Sequence, residues 1–592
     1  MGDAGYPELL KALHASDFFS ALPEDVLQDL APRFEPHAIT SGERLMSRGE
    51  PGDSLYLVRH GRLRTSITDD RDITTTLGEI GKGEVVGEMA LLTDQNRTAD
   101  VDALRDSSLY RLSAEAFADL LAAQPELIRT CATVIVDRYK KSFDAPARDT
   151  LPATIAVISD VQSETYDWFI DTLAEAFADY DLVRVRESDL GDDDHAARLL
   201  DLEATNDIVL LNAGAHPTPW AQQCLRHADR VLVLGETNRS SAPMPIEVDE
   251  WARDRISHLD TIIAVVHHGI PNMTGWMRGR TPQTHQNIRF GNDEDVHRLS
   301  RRIAGTERVL VLSGGGARGL AHFGVLQVFA EHGIDYDVIC GTSAGSLVAG
   351  AVSVNEDAAQ IMDDIVDWLR TVKWKRDTTL PIVAMQSGQL LADGLTTLLG
   401  GEVIENLDRH YFAVSTNLTT GGTHVHDRGP ILDAVRASIA VPGVFPPVNS
   451  PAGVLVDGGV VDNLPVAEAR RRYPSAEVIA IDVGGGESGL SGGELGSDGI
   501  VHGAKALLAK GDYPTLPRVL VRLTELGREP NDPSIADVYI RPEVSHYPLL
   551  DGSRDTEIIG KGREAALAWI ESSRESATGH GEPEFAGRWG RR

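Results

Sequence analysis

Residues 308–350, RVLVLSGGGARGLAHFGVLQVFAEHGIDYDVICGTSAGSLVAG, contain the same local pattern twice. Each copy begins with a short apolar run, turns at a group of glycines and continues into a helix-forming segment. The first turn lies at residues 314–316 and the second at residues 341–345. Alternation of strands with helices is typical of α/β folds. This stretch therefore predicts two consecutive strand–turn–helix units in an α/β domain.

The second turn has the pattern G-x-S-x-G, with Ser343 at its centre. Glycines at both ends remove the Cβ atoms that would collide at a sharp bend, and the N-terminus of the following helix favours developing negative charge. Ser343 is therefore a candidate nucleophile. The same pattern recurs at residues 489–493, but no apolar run precedes it and no helix former follows it. That second match predicts a flexible loop.

The first turn supports two interpretations. Gly314, Gly316 and Gly319 match the dinucleotide fingerprint G-x-G-x-x-G, which requires an acidic residue at the end of the next strand. Here the acidic residues precede that strand, and the serine turn follows it. Alternatively, successive backbone N–H groups of this loop point at the carbonyl oxygen of a substrate that Ser343 attacks. Arg318 then braces the loop or adds positive potential.

A serine nucleophile needs a base, and residues 454–463, VLVDGGVVDN, offer one. Asp457 ends an apolar run and precedes two glycines, which lets its carboxylate lie against another backbone turn and accept the serine proton. Asp-Gly-Gly alone is more often an ordinary hairpin. The segment thus predicts either a general base or a structural turn.

Four blocks follow one another along the chain: GGGARG, GTSAG, ASIAVPGVFPPV and DGG. Together they resemble the patatin-like phospholipases. The resemblance implies a serine lipid esterase, a lysophospholipase or phospholipase, that uses a Ser-Asp dyad and no metal or catalytic cofactor. Carried over by position, the nucleophile is Ser343, the general base is Asp457, and the oxyanion loop comprises Gly314, Gly315, Gly316 and Arg318. A Ser-His-Asp triad is the alternative, but no segment shaped like a catalytic turn contains His322, His410, His424 or His426.

An N-terminal β-rich module is predicted from recurring glycine turns and short alternating runs. Residues 51–64, PGDSLYLVRHGRLR, and residues 86–100, VGEMALLTDQNRTAD, resemble the cyclic-nucleotide-binding domain. The resemblance implies that Glu88 holds the ribose and Arg97 the cyclic phosphate of cyclic AMP or cyclic GMP, acting as a regulatory ligand. The predicted binding residues are Gly87, Glu88, Met89, Ala90, Arg97 and Thr98. Asp100 stands where the family often has Thr or Ser, which leaves a purely structural or dimerising module as the alternative.

The intervening segment alternates apolar strand candidates with helical patterns, which indicates an open α/β sheet. It contains no phosphate-binding G-x-x-x-x-G-K-[ST] loop, so a scaffold or relay role is predicted. The order of the three parts resembles bacterial relatives of neuropathy target esterase. The chain is therefore predicted to be multidomain, with a β-barrel or jelly-roll cyclic-nucleotide-binding module at 1–145, a middle α/β domain at 152–300, an α/β patatin-like hydrolase domain at 307–572 and a flexible tail at 573–592.

Composition limits the partners of the chain. A net charge of -33 over 592 residues opposes binding to nucleic acid phosphates. No apolar run reaches the roughly 18 residues that a membrane span needs, and the N-terminus lacks a signal sequence, so we expect a cytoplasmic protein. Residues 371–376, TVKWKR, predict either transient peripheral contact with a membrane or a solvated helix end. Cys131, Cys224 and Cys340 are too far apart for a metal or disulfide framework, and the module type suggests a homodimer.

Overall fold

The chain forms two compact units, Met1–Thr306 and Glu307–Arg592. The computed structural model describes residues 5–16, 18–20, 22–68, 74–93, 95–123, 154–190, 195–355, 358–372, 376–379, 383–484, 536–549 and 553–578. Predictions that concern Cys131, the second G-x-S-x-G match at residues 489–493 and the junction near residue 145 lie outside the described residues. No helix in the described part of the chain is long and apolar enough to cross a membrane.

The N-terminal part of the first unit is a pair of four-stranded antiparallel sheets. The strands are β1 (Glu35–Ile39), β2 (Arg44–Met46), β3 (Ser54–His60), β4 (Leu63–Thr68), β5 (Thr74–Ile80), β6 (Val85–Val86), β7 (Asp100–Ala103) and β8 (Ser107–Ser113). The sheets have the orders β1-β8-β3-β6 and β2-β7-β4-β5. The helices are α1 (Gly5–Ala15), α2 (Glu24–Leu30), α3 (Glu88–Thr93) and α4 (Ala114–Ala123). This confirms the predicted β-barrel or jelly-roll class.

The middle part is a six-stranded parallel sheet. Its strands are β9 (Thr154–Ser159), β10 (Leu182–Val185), β11 (Ile208–Asn212), β12 (Arg230–Glu236), β13 (Asp260–His267) and β14 (Thr284–Arg289), in the order β10-β11-β9-β12-β13-β14. Its helices are α5 (Ser163–Ala176), α6 (His195–Thr205), α7 (Pro219–His227), α8 (Pro245–Val248), α9 (Glu250–Ser257), α10 (Met273–Trp276) and α11 (Asp293–Ala304). Apolar residues of α5 and α11 pack on one face, and those of α6, α7, α9 and α10 pack on the other.

The apolar runs at residues 154–158, 182–185, 208–211, 231–234 and 261–266 predicted β9 to β13, but no apolar run predicted β14. The sequence of β14, THQNIR, contains a single apolar residue, and the polar side chains of Gln286 and Asn287 are buried there. The pattern of apolar residues along the sequence cannot identify a strand whose buried side chains are those of glutamine and asparagine.

Buried ion pairs join the barrel to the middle sheet. Arg105 follows β7, and its guanidinium lies 2.9 Å from the carboxylate of Asp229 and 3.0 Å from that of Glu203. All three side chains are less than a tenth exposed. Separating the barrel from the sheet would break these pairs and leave uncompensated charges, which is unfavourable in a region of low dielectric constant. The two parts are therefore held together as one unit.

The second unit contains an eight-stranded mixed sheet of order β19-β20-β17-β16-β15-β21-β22, in which β18 also pairs with β17. Its strands are β15 (Arg308–Leu312), β16 (Val338–Thr342), β17 (His410–Asn417), β18 (Gly422–His426), β19 (Val448–Ser450), β20 (Gly453–Asp457), β21 (Glu477–Ile481) and β22 (Val538–Ile540). Its helices are α12 (Ala321–Glu331), α13 (Ala344–Val354), α14 (Ala358–Thr371), α15 (Gln389–Leu399), α16 (Ile431–Ser438), α17 (Val466–Arg472) and α18 (Asp555–Thr578). The two predicted strand–turn–helix units are β15 to α12 and β16 to α13.

The helix α18 corrects the predicted start of the C-terminal tail. Residues 573–578 continue this helix instead of beginning the tail. Their sequence, SRESAT, contains no helix breaker, and the first glycine follows at position 579. The remaining predicted tail, residues 579–592, lies outside the described residues.

Helices α12 and α18 approach each other so closely that glycine is required at the contact. A Cβ atom on Gly562 would lie 2.0 Å from the carbonyl oxygen of Ala321, and one on Gly324 would lie 2.0 Å from that of Ile559. Gly560, on the same helix as Gly562, has open space at the corresponding position. The contact fixes α12, the helix that leaves the first glycine turn.

We expect Gly562→Ala to lower the free energy of unfolding by about 1–3 kcal/mol, because the added methyl meets rigid backbone. Gly560→Ala is the matched control and should raise it by up to about 1 kcal/mol through better helix propensity. Guanidinium denaturation of the full chain measures both. Equal effects of the two substitutions would contradict the close packing of α12 on α18.

Candidate active site

Ser343 stands on a sharp bend between β16 and α13. Its backbone has φ 54° and ψ -123°, and it is the one non-glycine residue with a positive φ in the described part of the chain. The flanking glycines make this bend fit: a Cβ on Gly345 would lie 2.3 Å from the carbonyl oxygen of Leu312, and one on Gly341 would lie 2.5 Å from the backbone of Gly345. Backbone strain of this kind costs about 1–3 kcal/mol and persists only where the surroundings impose it.

The side chain of Ser343 contacts Asp457 directly. The Ser343 Oγ donates to Asp457 Oδ2 at 2.6 Å. The other carboxylate oxygen, Oδ1, accepts the backbone N–H of Gly459 at 2.8 Å, and the Asp457 side chain is nearly buried. A short hydrogen bond to an ionised carboxylate is stronger than one between neutral groups. The Asp-Gly-Gly turn thus fixes one oxygen of the carboxylate and presents the other to the serine.

Two residues that sequence reasoning did not single out hold the bend in place. The backbone N–H of Ser343 donates to Ser438 Oγ at 2.9 Å, and that hydroxyl donates to the carbonyl of Val414 at 2.7 Å. Thr342 Oγ1 donates to the carbonyl of Asp462 at 2.9 Å. Ser438 lies within the block ASIAVPGVFPPV and Thr342 within GTSAG, but no residue pattern identifies either side chain as a support for the bend.

The first glycine turn lies beside the serine. A Cβ on Gly314 would lie 3.0 Å from the Cβ of Ser343, and one on Gly319 would lie 2.6 Å from the Cβ of Ala344. The structure corrects one predicted role, because the Gly314 N–H already donates to the carbonyl of Asn463 at 2.9 Å. The amide of Asn463 donates back to the carbonyl of Gly314 at 3.1 Å. Gly314 is therefore a clamped support of the loop and not a free donor.

The other members of the loop have different surroundings. The N–H groups of Gly315 and Gly316 meet no acceptor among the described residues. Gly316 has φ +56°, and a Cβ there would lie 2.2 Å from the carbonyl oxygen of Leu549. Arg318 is 2% exposed, and its Nε donates to the carbonyl of Tyr547 at 2.7 Å. Of its two predicted roles, this geometry supports the bracing of the loop.

Three of the four histidines considered for a triad have other hydrogen-bond partners, and the fourth packs against one of these three. His322 Nε2 lies 2.9 Å from the carbonyl of Ser313, His410 Nδ1 lies 3.4 Å from the hydroxyl of Tyr473, and His426 Nε2 lies 2.8 Å from Ser415 Oγ. The ring of His424 packs edge-on against that of His426. No hydrogen bond joins any of these rings to Ser343 or Asp457 among the described contacts.

Residues of the predicted nucleotide site cluster around the start of α3. Arg97 is 6% exposed, and its guanidinium donates to the carbonyls of Gly87 and Ser54 at 3.0 and 2.8 Å and to Asp53 at 3.2 Å. Glu88 is also buried at the first position of α3. The remaining predicted residues differ in exposure: Ala90 is buried, and Met89 and Thr98 are exposed.

The carboxylate of Asp100 turns towards strand β2. It accepts the backbone N–H of Arg48 at 2.7 Å and lies 3.3 Å from the guanidinium of Arg44. An acidic residue is therefore accommodated at a position where the related family often has a hydroxyl, because two arginine residues of this chain supply its partners.

The structure gives no sign of a metal centre in the part of the chain that it describes, where no three His, Cys, Asp or Glu side chains form a candidate cluster. Cys224 and Cys340 are buried and free, and burial raises the pKa of both thiols. Neither thiol is therefore a ready nucleophile at neutral pH.

Comparison with known proteins gives two family matches. Residues 310–470 match the patatin-like phospholipase family, and residues 36–124 match the cyclic nucleotide-binding domain family. An uncharacterized NTE family protein of Mycobacterium tuberculosis is 30% identical over 585 residues, covering 95% of this chain and 96% of that protein.

Longer eukaryotic proteins and solved structures also match. Lysophospholipase nte1 of Neurospora crassa is 25% identical over 93% of this chain, and neuropathy target esterase sws of Drosophila melanogaster is 27% identical over 90%. The chain spans 43% and 42% of these two relatives. A solved cyclic nucleotide-binding domain from Methylobacillus flagellatus is 23% identical, with a TM-score of 0.22. The match covers 24% of this chain and 82% of that domain's chain.

Burial of His322 makes stability depend on pH. Desolvation lowers the pKa of His322 to about 4, so the folded imidazole stays neutral at pH 5, whereas the unfolded one takes up a proton below about 6.5. Stability is therefore lost as the pH falls from about 6.5 towards 4. We expect wild type to lose about 2 kcal/mol more than His322→Gln between pH 7 and pH 5, because the glutamine does not titrate.

Denaturant unfolding of both proteins at the two pH values measures this difference. Glutamine is chosen because its side-chain N–H can still donate to the carbonyl of Ser313. Since all other groups titrate in both proteins, identical losses would show that His322 is not held neutral.

Proposed function

The chain belongs to the NTE family, and we propose that this lipid ester hydrolase uses Ser343 as nucleophile and Asp457 as general base. The observation that carries the proposal is the 2.6 Å hydrogen bond between Ser343 Oγ and Asp457 Oδ2. The match of residues 310–470 to patatin-like phospholipases supports the lipid ester class. The contacts of the four histidines, none of which is a hydrogen bond to Ser343 or Asp457 among the described residues, favour a dyad over a triad.

The two residues divide the reaction between them. Asp457 accepts the hydroxyl proton as Ser343 Oγ attacks the ester carbonyl, and the negative charge moves to the carbonyl oxygen. Collapse of this intermediate expels the alcohol, which takes the proton back from Asp457, and leaves an acyl ester on Ser343. Asp457 then accepts a proton from water as the water attacks the acyl ester. The Ser343 oxygen takes this proton from Asp457 as the fatty acid is released, which restores the serine hydroxyl and the carboxylate.

The oxyanion requires donors that are fixed before the reaction. The N–H groups of Gly315 and Gly316 are the donors we assign, because that of Gly314 is already bound to Asn463. Arg318 and Asn463 act as positioning residues that hold the loop from its two sides. The N-terminus of α13, directly after Ser343, adds a favourable dipole.

A lysophospholipid is the substrate we propose, with a simple fatty ester as its proxy. The Neurospora relative is named a lysophospholipase, which supports this choice. Leu418, which follows β17, is 56% exposed, and Val461, close after Asp457, is 50% exposed. Because β17 pairs with β20, the strand that ends at Asp457, these exposed apolar side chains support transient contact with a lipid surface. The centre of the predicted contact segment, residues 373–375, lies outside the described residues.

The N-terminal module is proposed to bind cyclic AMP or cyclic GMP and to regulate the esterase. Its family match and the clustering of Gly87, Glu88 and Arg97 support this assignment. A catalytically weak sensor or interaction protein on a hydrolase fold is the second candidate, and it predicts ligand binding without turnover. The homodimer expected from the module type stays a prediction.

Release of fatty acid from lysophosphatidylcholine tests the dyad. We expect Ser343→Ala and Asp457→Asn each to lower kcat by about 10³-fold or more, since each removes a group that acts in both steps. Ser491→Ala, at the centre of the second G-x-S-x-G match, is the control and should keep full activity. Folded Asp457→Asn protein with near wild-type turnover would exclude the dyad.

Calorimetry with the full chain tests the nucleotide proposal. We expect cyclic AMP or cyclic GMP to bind, and Arg97→Lys to weaken binding by about tenfold or more, because lysine lacks the planar fork of arginine. Arg33→Gln, an exposed arginine of the same module paired with Asp119, should leave binding unchanged. If neither nucleotide binds wild type at millimolar concentration, the module has a structural or dimerising role.

A further inference from the structure

The middle domain contains a cavity that the proposed function does not use. It has a volume of about 320 Å³ and lies between α5 and the edge strand β10. Polar groups come from Tyr166, Arg184, Arg186, Asp189 and Asn212, and apolar walls come from Ile170, Val185 and Leu210. A concave site with apolar walls and a few convergent polar groups is typical of small-molecule binding.

The position of the cavity in the sheet also favours a ligand. It opens at the carboxyl ends of the parallel strands β10 and β11. Strand β11 is the neighbour of β9, and the helices that follow these two strands, α7 and α5, pack on opposite faces of the sheet. Ligands of open α/β sheets bind beyond the carboxyl ends of the strands at such a change of direction. The cavity lies next to this point, at the ends of β10 and β11 and against α5, the helix that follows β9.

Apart from Asp189, the polar groups that line the cavity are mainly hydrogen-bond donors. The two carboxylate oxygens of Asp189 already accept the backbone N–H of Arg186 at 2.7 Å and the hydroxyl of Ser188 at 3.3 Å. The hydroxyl of Tyr166 and the amide nitrogen of Asn212 have no partner among the described residues, and the Asn212 Oδ1 already accepts the N–H of Gly214. Burial raises the pKa of Tyr166, so its hydroxyl keeps its proton at neutral pH. Two guanidinium groups add positive charge. This combination suits an anion that accepts several hydrogen bonds.

The two arginines are available to a ligand. Arg184 pairs with Asp171, and Arg186 lies 3.0 Å from Asp167. All four side chains are half-exposed or more. Ion pairs between exposed side chains contribute about 0–1 kcal/mol, so either guanidinium can turn towards a ligand at little cost.

We propose that this cavity binds a small organic anion, a carboxylate or a phosphate monoester. Arg184 and Arg186 hold the anionic group, Tyr166 and Asn212 donate to its oxygens, and Ile170 and Leu210 contact the organic part. The site gives the middle domain a ligand of its own, and it is independent of the esterase dyad.

Isothermal titration of the full chain with inorganic phosphate, ribose 5-phosphate and benzoate tests the proposal. The test variants are the double substitution Arg184→Gln with Arg186→Gln, and Tyr166→Phe, which keeps the ring and removes the donor. The matched control is Arg253→Gln, an exposed arginine on α9 at the opposite face of the same sheet. Thermal unfolding without ligand checks that each variant is folded.

We expect ribose 5-phosphate or benzoate to bind. Which of these two probes binds shows whether the cavity takes a phosphate ester or a carboxylate. The double variant should bind about tenfold more weakly or worse, since it loses charge-assisted hydrogen bonds. Tyr166→Phe should weaken binding by about threefold, and Arg253→Gln should leave it unchanged. Failure of all three probes to bind at about 10 mM, or equal binding by wild type and the double variant, would overturn the proposal.

Discussion

The hydrogen bond between Ser343 and Asp457 depends on a backbone conformation that serine rarely adopts. At φ 54° the residue leaves β16 and starts α13 within a single step, which places its Oγ 2.6 Å from the carboxylate. The strain is tolerated because Gly341 and Gly345 allow neighbouring backbone to come within distances that a Cβ would block. Ser438 holds the serine N–H from the other side. The arrangement is thus imposed by packing and is in place before any substrate binds.

The segment from Asp457 to Asn463 links both glycine turns. Its first residue supplies the carboxylate, the carbonyl of Asp462 accepts the hydroxyl of Thr342, and Asn463 forms two hydrogen bonds with Gly314. A shift of this segment would therefore move the base, the serine bend and the glycine loop together.

Sequence reasoning identified the parts of the site whose chemistry leaves a local pattern. Glycines around a serine and an aspartate after an apolar strand indicate sharp bends, and both bends are present. It assigned three glycine donors to the oxyanion, but Gly314 is bound to Asn463, a residue 149 positions away in the chain. The roles of Ser438 and Asn463 arise from contacts across the fold, and β14 is polar although it is buried. Such features depend on tertiary packing, which no local pattern encodes.

Covalent labelling tests the central claim most directly. A fluorophosphonate should modify Ser343 alone, as located by peptide mass spectrometry, and Asp457→Asn should slow the labelling by about 10²-fold or more, because a serine without its base is a poor nucleophile. Labelling at another serine, or labelling of Ser343 at an unchanged rate in Asp457→Asn, would contradict the account.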